Sequence, residues 1–131
     1  MDRSQHLGEL QYAIMRVLWE EGEATVARVV DRLPRAQRRA LTTIATMLTK
    51  LEKKGVVDHR VEGRQFIYIP KVRESDVHRS MVAELTERLF KGDVGALVNH
   101  LISEQEIDRG ELARLKSLIA DRQRKEKPNG R

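Results

Sequence analysis

The sequence predicts a mainly α chain with one small β element, a hairpin set between two helical stretches. Three observations predict it. Apolar residues recur at helical spacing before Gly55 and again after Arg73. Between them "VVDHRVEGRQFIYIP" changes to a period of two around a glycine. Hydrophobic residues make up 40% of the 131 but aromatics only 4%. That balance suits an aliphatic helical core and argues against a large aromatic pocket.

The elements follow in order. Leu10, Ile14, Val17 and Leu18 predict a helix from about Leu7 to Glu21, ended by Gly22. "EAT" at 23–25 reads as a short strand or a cap, and Thr25 suits the N-cap of "VARVVDRL". Pro34 closes that second helix. After the loop "RAQRR", Ile44, Met47, Leu48 and Leu51 form one apolar stripe, spaced i, i+3, i+4, i+7. Gly55 is the C-cap, and Lys53 and Lys54 suit a helix C-terminus. The hairpin turns at Glu62-Gly63-Arg64, and Pro70 stops its second strand. Helix, short strand, helix, helix, hairpin is the order of a winged helix-turn-helix.

The rest is helical. Val77, Met81, Leu85 and Leu89 step by four, and Lys91-Gly92 breaks the run. "DVGALVNHLI" carries Leu97 and Leu101. Asp108 with Glu111 opens a last helix presenting Leu112, Leu115 and Ile119, in the pattern of a capping box. Three short helices make a marginal core, so a second copy of the chain is expected to cover these nine residues. The expected organisation is a winged-helix domain at 1–70, a helical dimerisation domain at 71–122, and a disordered tail at 123–131.

Charge is unevenly spread. The net of +5 is −2 over Met1–Leu33, +5 over Pro34–Arg64 and +2 thereafter. A basic middle is the footprint of a polyanion binder. The third helix adds Thr42, Thr43, Thr46 and Thr49, of which Thr42, Thr46 and Thr49 share a face with Ala45 and Lys53. One of Thr42 and Thr43 is expected to cap the helix. A threonine hydroxyl can bond bases or phosphates, and its methyl can rest on a thymine methyl. Arg38, Arg39 and Lys50 flank this face and can reach phosphates, as can Arg60 and Arg64 on the hairpin.

Other chemistries find no support. The chain has no cysteine, which excludes disulfides, thiolate catalysis and cysteine-based zinc sites. The four histidines show no His-Glu-x-x-His spacing, and no P-loop or nucleophile elbow appears. Neither catalytic residues nor a metal or cofactor is expected. With no signal-peptide core and no membrane-length apolar run, a soluble, cytoplasmic protein is expected.

The stretches "LGELQYAIMRVLWEEGEATVARVVDRL", "LTTIATMLTKLEKKGVVDHR", "FIYIP" and "LFKGDVGALVNHLISEQEID" together resemble the BlaI/MecI/CopY penicillinase-repressor family, from about Leu7 to Ile119. The resemblance implies a homodimeric transcriptional repressor on a palindromic operator of double-stranded DNA. It implies DNA contacts at Thr42, Thr43, Ala45 and Thr46, with Arg60 and Arg64 on the wing. It also implies a membrane sensor metallopeptidase as antirepressor. Two departures stand out. The copper-responsive branch carries Cys-x-Cys motifs, which this chain lacks, and this excludes that mode of sensing. The β-lactam branch is cleaved at an Asn-Phe bond, where a gapless match places His100-Leu101, with Asn99 one position early.

Two other functions fit a winged helix. One is a protein-interaction adaptor. Its cue would be an exposed apolar patch on the wing domain, and the sequence shows none clearly. The other is a ligand-gated regulator with a pocket at the dimer core, against which the low aromatic content argues.

Overall fold

A computed structural model describes residues 7–104 and 106–126. Helix α1 spans Glu9–Glu21 and buries Ile14, Met15, Val17 and Leu18. Gly22 stops it at φ 87°, its N–H donating to the Leu18 carbonyl. Ala24 and Thr25 form the two-residue strand β1. Thr25 also caps α2 (Val26–Arg32), its hydroxyl accepting from the Arg28 N–H at 3.1 Å. The segment read as strand or cap is therefore both. A 3-10 turn at Arg35–Gln37 leads into α3 (Leu41–Lys53).

Helix α3 buries Ile44, Leu48 and Leu51 completely, with Met47 packed beside them. Its N-cap is Ala40, with no side-chain capping bond, so neither Thr42 nor Thr43 serves as the expected cap. The opposite end is firmly closed. Gly55, at φ 85°, donates to the Glu52 carbonyl, and Val56 donates to Leu51. This paired Schellman closure brings apolar Val56 back onto Leu51 and launches the hairpin.

Strands β2 (Val57–Glu62) and β3 (Gln65–Pro70) pair antiparallel, with Glu62 opposite Gln65. The loop is thus the two residues Gly63-Arg64. Gly63 sits at φ 65°, the first turn position, where a type II′ hairpin calls for glycine. Strand β1 joins the other edge of β3, giving the sheet order β1-β3-β2. The result is a winged helix-turn-helix.

The core of this unit draws in one more helix. Helix α4 (Glu74–Phe90) begins after Pro70 and places Val77 at 0% exposure in the same apolar cluster. Met81 packs against that cluster. The Trp19 indole N–H donates to the Val72 carbonyl at 2.9 Å, and the Tyr12 hydroxyl meets His78 Nε2 at 2.7 Å. Packing therefore does not change after Pro70. The N-terminal unit extends to Leu85; Val77 belongs to its core rather than to a dimer surface, and Met81 packs half-buried against that core. A four-residue apolar step cannot say which neighbour it serves.

The second unit runs from Thr86 onward and holds α5 (Val94–Ser103) and α6 (Arg109–Glu126). Asp93 caps α5, accepting from the Ala96 N–H at 3.0 Å. Asp108 and Glu111 form the expected reciprocal capping box, at 2.8 and 3.1 Å. Neither α5 nor α6 has a buried residue. Helix α6 continues through residues 123–126, which were expected in the tail; 127–131 lie outside the described residues. Among the described residues, no helix is long and apolar enough to cross a membrane.

Candidate nucleic-acid interface

The buried stripe of α3 fixes which side faces water. Thr42, Thr43, Thr46, Thr49, Lys50 and Lys53 are exposed, and Ala45 is half-buried. Two of the hydroxyls are already engaged. Thr46 donates to the Thr42 carbonyl at 3.0 Å, and Thr49 donates to Ala45 at 3.1 Å. Such back-bonding occupies the hydroxyl proton and leaves the oxygen lone pairs and methyl of Thr46 to the outside, whereas the Thr49 hydroxyl is also bonded to Tyr68. The face is therefore suited to accept hydrogen bonds and to pack against methyl groups.

The flanking arginines differ in what they already hold. Arg38 Nη2 donates to the carbonyls of Asp31 and Leu33, at 3.1 and 3.0 Å. It thereby closes the C-terminal end of α2. Arg39 Nη1 donates to the carbonyls of Ala36 and Arg38, at 3.2 and 3.0 Å, and so fixes the turn before α3. Both guanidinium groups keep other N–H donors directed elsewhere. Lys50 and Arg64 have no ion-pair partner among the described residues.

Arg60 is placed differently from the expected hairpin tip. It lies within β2, opposite Ile67, and donates through both Nη atoms to Glu23, at 2.6 and 3.0 Å. That hydrogen bond raises the guanidinium pKa and lowers the Glu23 carboxyl pKa. Arg60 ties the wing to the residue before β1, and only Arg64 of the pair sits at the tip.

The hairpin is also locked to α3. His59 Nδ1 meets Glu52 Oε1 at 2.7 Å, and the His59 ring stacks on Phe66 at 4.2 Å with 12° between planes. Asp58 accepts from the His59 backbone N–H at 2.8 Å. Donor atoms of Glu52, Asp58 and His59 lie within 4.8 Å of one another, and these contacts give each a protein partner. Tyr68 is buried beside them. Burial and then the Glu52 charge push its phenol up, against a hydrogen bond with Thr49. Sequence reading missed this brace. Residues seven apart, on a helix and a strand, meet only because the Schellman turn folds one onto the other.

The chain has clear relatives. The penicillinase repressor family profile matches residues 7–121. A penicillinase repressor of Bacillus licheniformis is 24% identical over 97% of this chain and 99% of its own length. The methicillin resistance regulatory protein MecI of Mammaliicoccus sciuri is 20% identical over 90% of this chain and 96% of its own. Among solved structures, the DNA binding domain of the repressor BlaI aligns with a TM-score of 0.50 at 33% identity, covering 58% of this chain and 93% of that one. The first and third of these are described as repressors and the second as a regulatory protein, none of them as an enzyme. A profile match across most of the chain, a relative aligned end to end and the winged-helix architecture agree: the chain belongs to the penicillinase repressor family.

Proposed function

We propose that this repressor binds an inverted-repeat operator as a homodimer and keeps polymerase off the promoter. The observation that carries the reading is the exposed threonine face of α3, flanked by Lys50 and Lys53. In a helix-turn-helix that face enters the major groove. Thr42, Thr43, Ala45 and Thr46 would approach base edges, while Lys50 and Arg64 would hold phosphates. Arg38, Arg39 and Arg60 would add phosphate contacts only around their existing bonds.

The homodimer is supported by what the second unit leaves in water. Leu89, Val94, Val98, Ile102, Leu118 and Ile119 are each 40–61% exposed. Leu97, Leu101, Leu112 and Leu115 are only half-buried beneath them. So much exposed apolar surface on about forty residues marks an interaction site, and a second copy offers a matching one. Leu85, the last residue of the first unit, is itself 44% exposed.

Release by a membrane sensor metallopeptidase belongs to the same reading. The His100–Leu101 bond lies inside α5, with Asn99 and His100 exposed. Cleavage there would need the helix to open locally.

A gel shift on the DNA upstream of its own gene, at two salt concentrations with competitor, tests the reading. A discrete complex that survives competitor is expected, followed by a footprint with two symmetric half-sites. A smear that salt removes would refute it.

A further inference from the structure

The wing leaves an aromatic uncovered. The chain has two phenylalanines, and Phe66 is 46% exposed. Val61, directly across the hairpin, is 61% exposed. They form an apolar pair that an adaptor would also show, so what the pair touches has to be decided. Phe66 is not loose. Its ring stacks on His59, and His59 is held by Glu52 of α3. The recognition helix and the exposed ring therefore move as one piece.

Between them lies a groove of about 390 Å³. Ala45 and Thr49 of α3 form one wall, and Arg64 of the hairpin loop with Phe66 and Tyr68 of β3 another. No carboxylate lines it. Arg64 stands at its rim, exposed and without an ion-pair partner among the described residues. The groove thus combines apolar side chains, Val26, Ala45 and Phe66 among them, with a cation that has no ion-pair partner among the described residues. That suits a chain that is anionic at intervals and apolar between its charges.

Helix diameter decides which chain that is. A helix about 10–12 Å across fills a major groove about 12 Å wide. Whatever flanks the helix then meets the sugar–phosphate strand bordering that groove. We propose that this strand runs through the α3–wing groove, with one deoxyribose packed on Phe66 and the adjoining phosphate on Arg64, and that Phe66 makes the site select deoxyribose over ribose. The proposal rests on the operator-binding reading above. Its chemical basis is the C2′ position. Deoxyribose presents a methylene there, which packs on a phenyl ring. Ribose presents a hydroxyl, which would lose water against the ring and gain no partner.

The test uses the full-length chain and its footprinted operator, remade as a set of duplexes carrying a single ribonucleotide at each position in turn. Wild type is expected to bind one substituted position per half-site about fivefold more weakly. In Phe66→Ala that penalty should fall below about twofold, with weaker binding to the all-deoxy duplex. The size follows from the usual cost of an unpaired hydroxyl, about 1 kcal/mol at a half-exposed contact. Phe66→Leu keeps apolar volume without the flat ring and carries the test should the alanine variant melt too low to assay. The inference is overturned when no ribose position depends on residue 66, or when Phe66→Ala binds operator as wild type does. In the latter case the patch serves a protein partner. Failure of the underlying reading looks different, because wild type would then form no discrete complex on the all-deoxy duplex.

Discussion

Val77 tests the division of the chain most directly. Its periodicity suits a dimer surface, yet it is fully buried in the winged-helix core. Val77→Ala removes two buried carbons, worth about 1.6 kcal/mol at roughly 0.8 kcal/mol each. The cavity left behind raises the cost to about 2–3 kcal/mol. For a unit of this size each kcal/mol shifts Tm by about 4–8 °C, so the melting point should fall by roughly 10–20 °C. Melting followed by circular dichroism reads that change. Sedimentation equilibrium below the melting range reads self-association, which should be unaltered. A variant that melts with wild type but dissociates at higher concentration would refute the placement of Val77 in the core.

Ile119→Glu, at a residue 57% exposed, should split the proposed homodimer and leave winged-helix melting unchanged, read by the same two methods. Thr46→Ala should weaken operator binding about threefold or more while sparing random DNA, whereas Lys50→Ala should weaken both; equal losses for Thr46→Ala would remove its base-reading role. Arg64→Gln should lower the slope of log affinity against log salt by about one, while Arg60→Gln should change it less and lower stability instead. The Glu23 carboxyl is held below its ordinary 4.5 by the Arg60 hydrogen bond, and Asp76 below 3.8 by that of Arg73. Such groups stabilise the fold fully above those ordinary values and cease to do so as pH falls through the lowered ones. Glu23→Gln should therefore flatten part of the acid limb in urea titrations at stepped pH.

Much of the fold was legible because local signals agreed with one another. Gly22, Thr25 and Gly55 each carry a backbone role that few residues can fill, and all three end or start elements where expected. The apolar stripe of α3 gave its buried face, and so its exposed one. What escaped depended on contacts distant in sequence. Nothing local to "DVHRSMVAEL" says that Val77 meets the core of residues 7–70. The Asp93 cap of α5 was within reach, since an aspartate stands directly before an apolar run. The Glu52–His59–Phe66 brace was not, because periodicity records which face a residue takes and not what lies opposite.

The arginines show why a basic stretch overstates a binding site. Sequence assigns four of them, Arg38, Arg39, Arg60 and Arg64, to phosphates on charge and position alone. In the folded chain Arg38 closes α2, Arg39 braces the turn before α3, and Arg60 joins the wing to Glu23. Each of these uses donors that a phosphate would otherwise take, and Arg60, already paired with a carboxylate, gains less from a second anion. Yet the Arg38 and Arg39 bonds fix the approach to the helix that carries Thr46, and the Arg60 bonds fix the strand paired with that of Phe66. Their contribution to DNA binding is then mostly made before DNA arrives, as rigidity that need not be supplied on docking. Such residues change affinity when mutated without changing its salt dependence, and that separates a charge that holds the reading head from one that touches the strand.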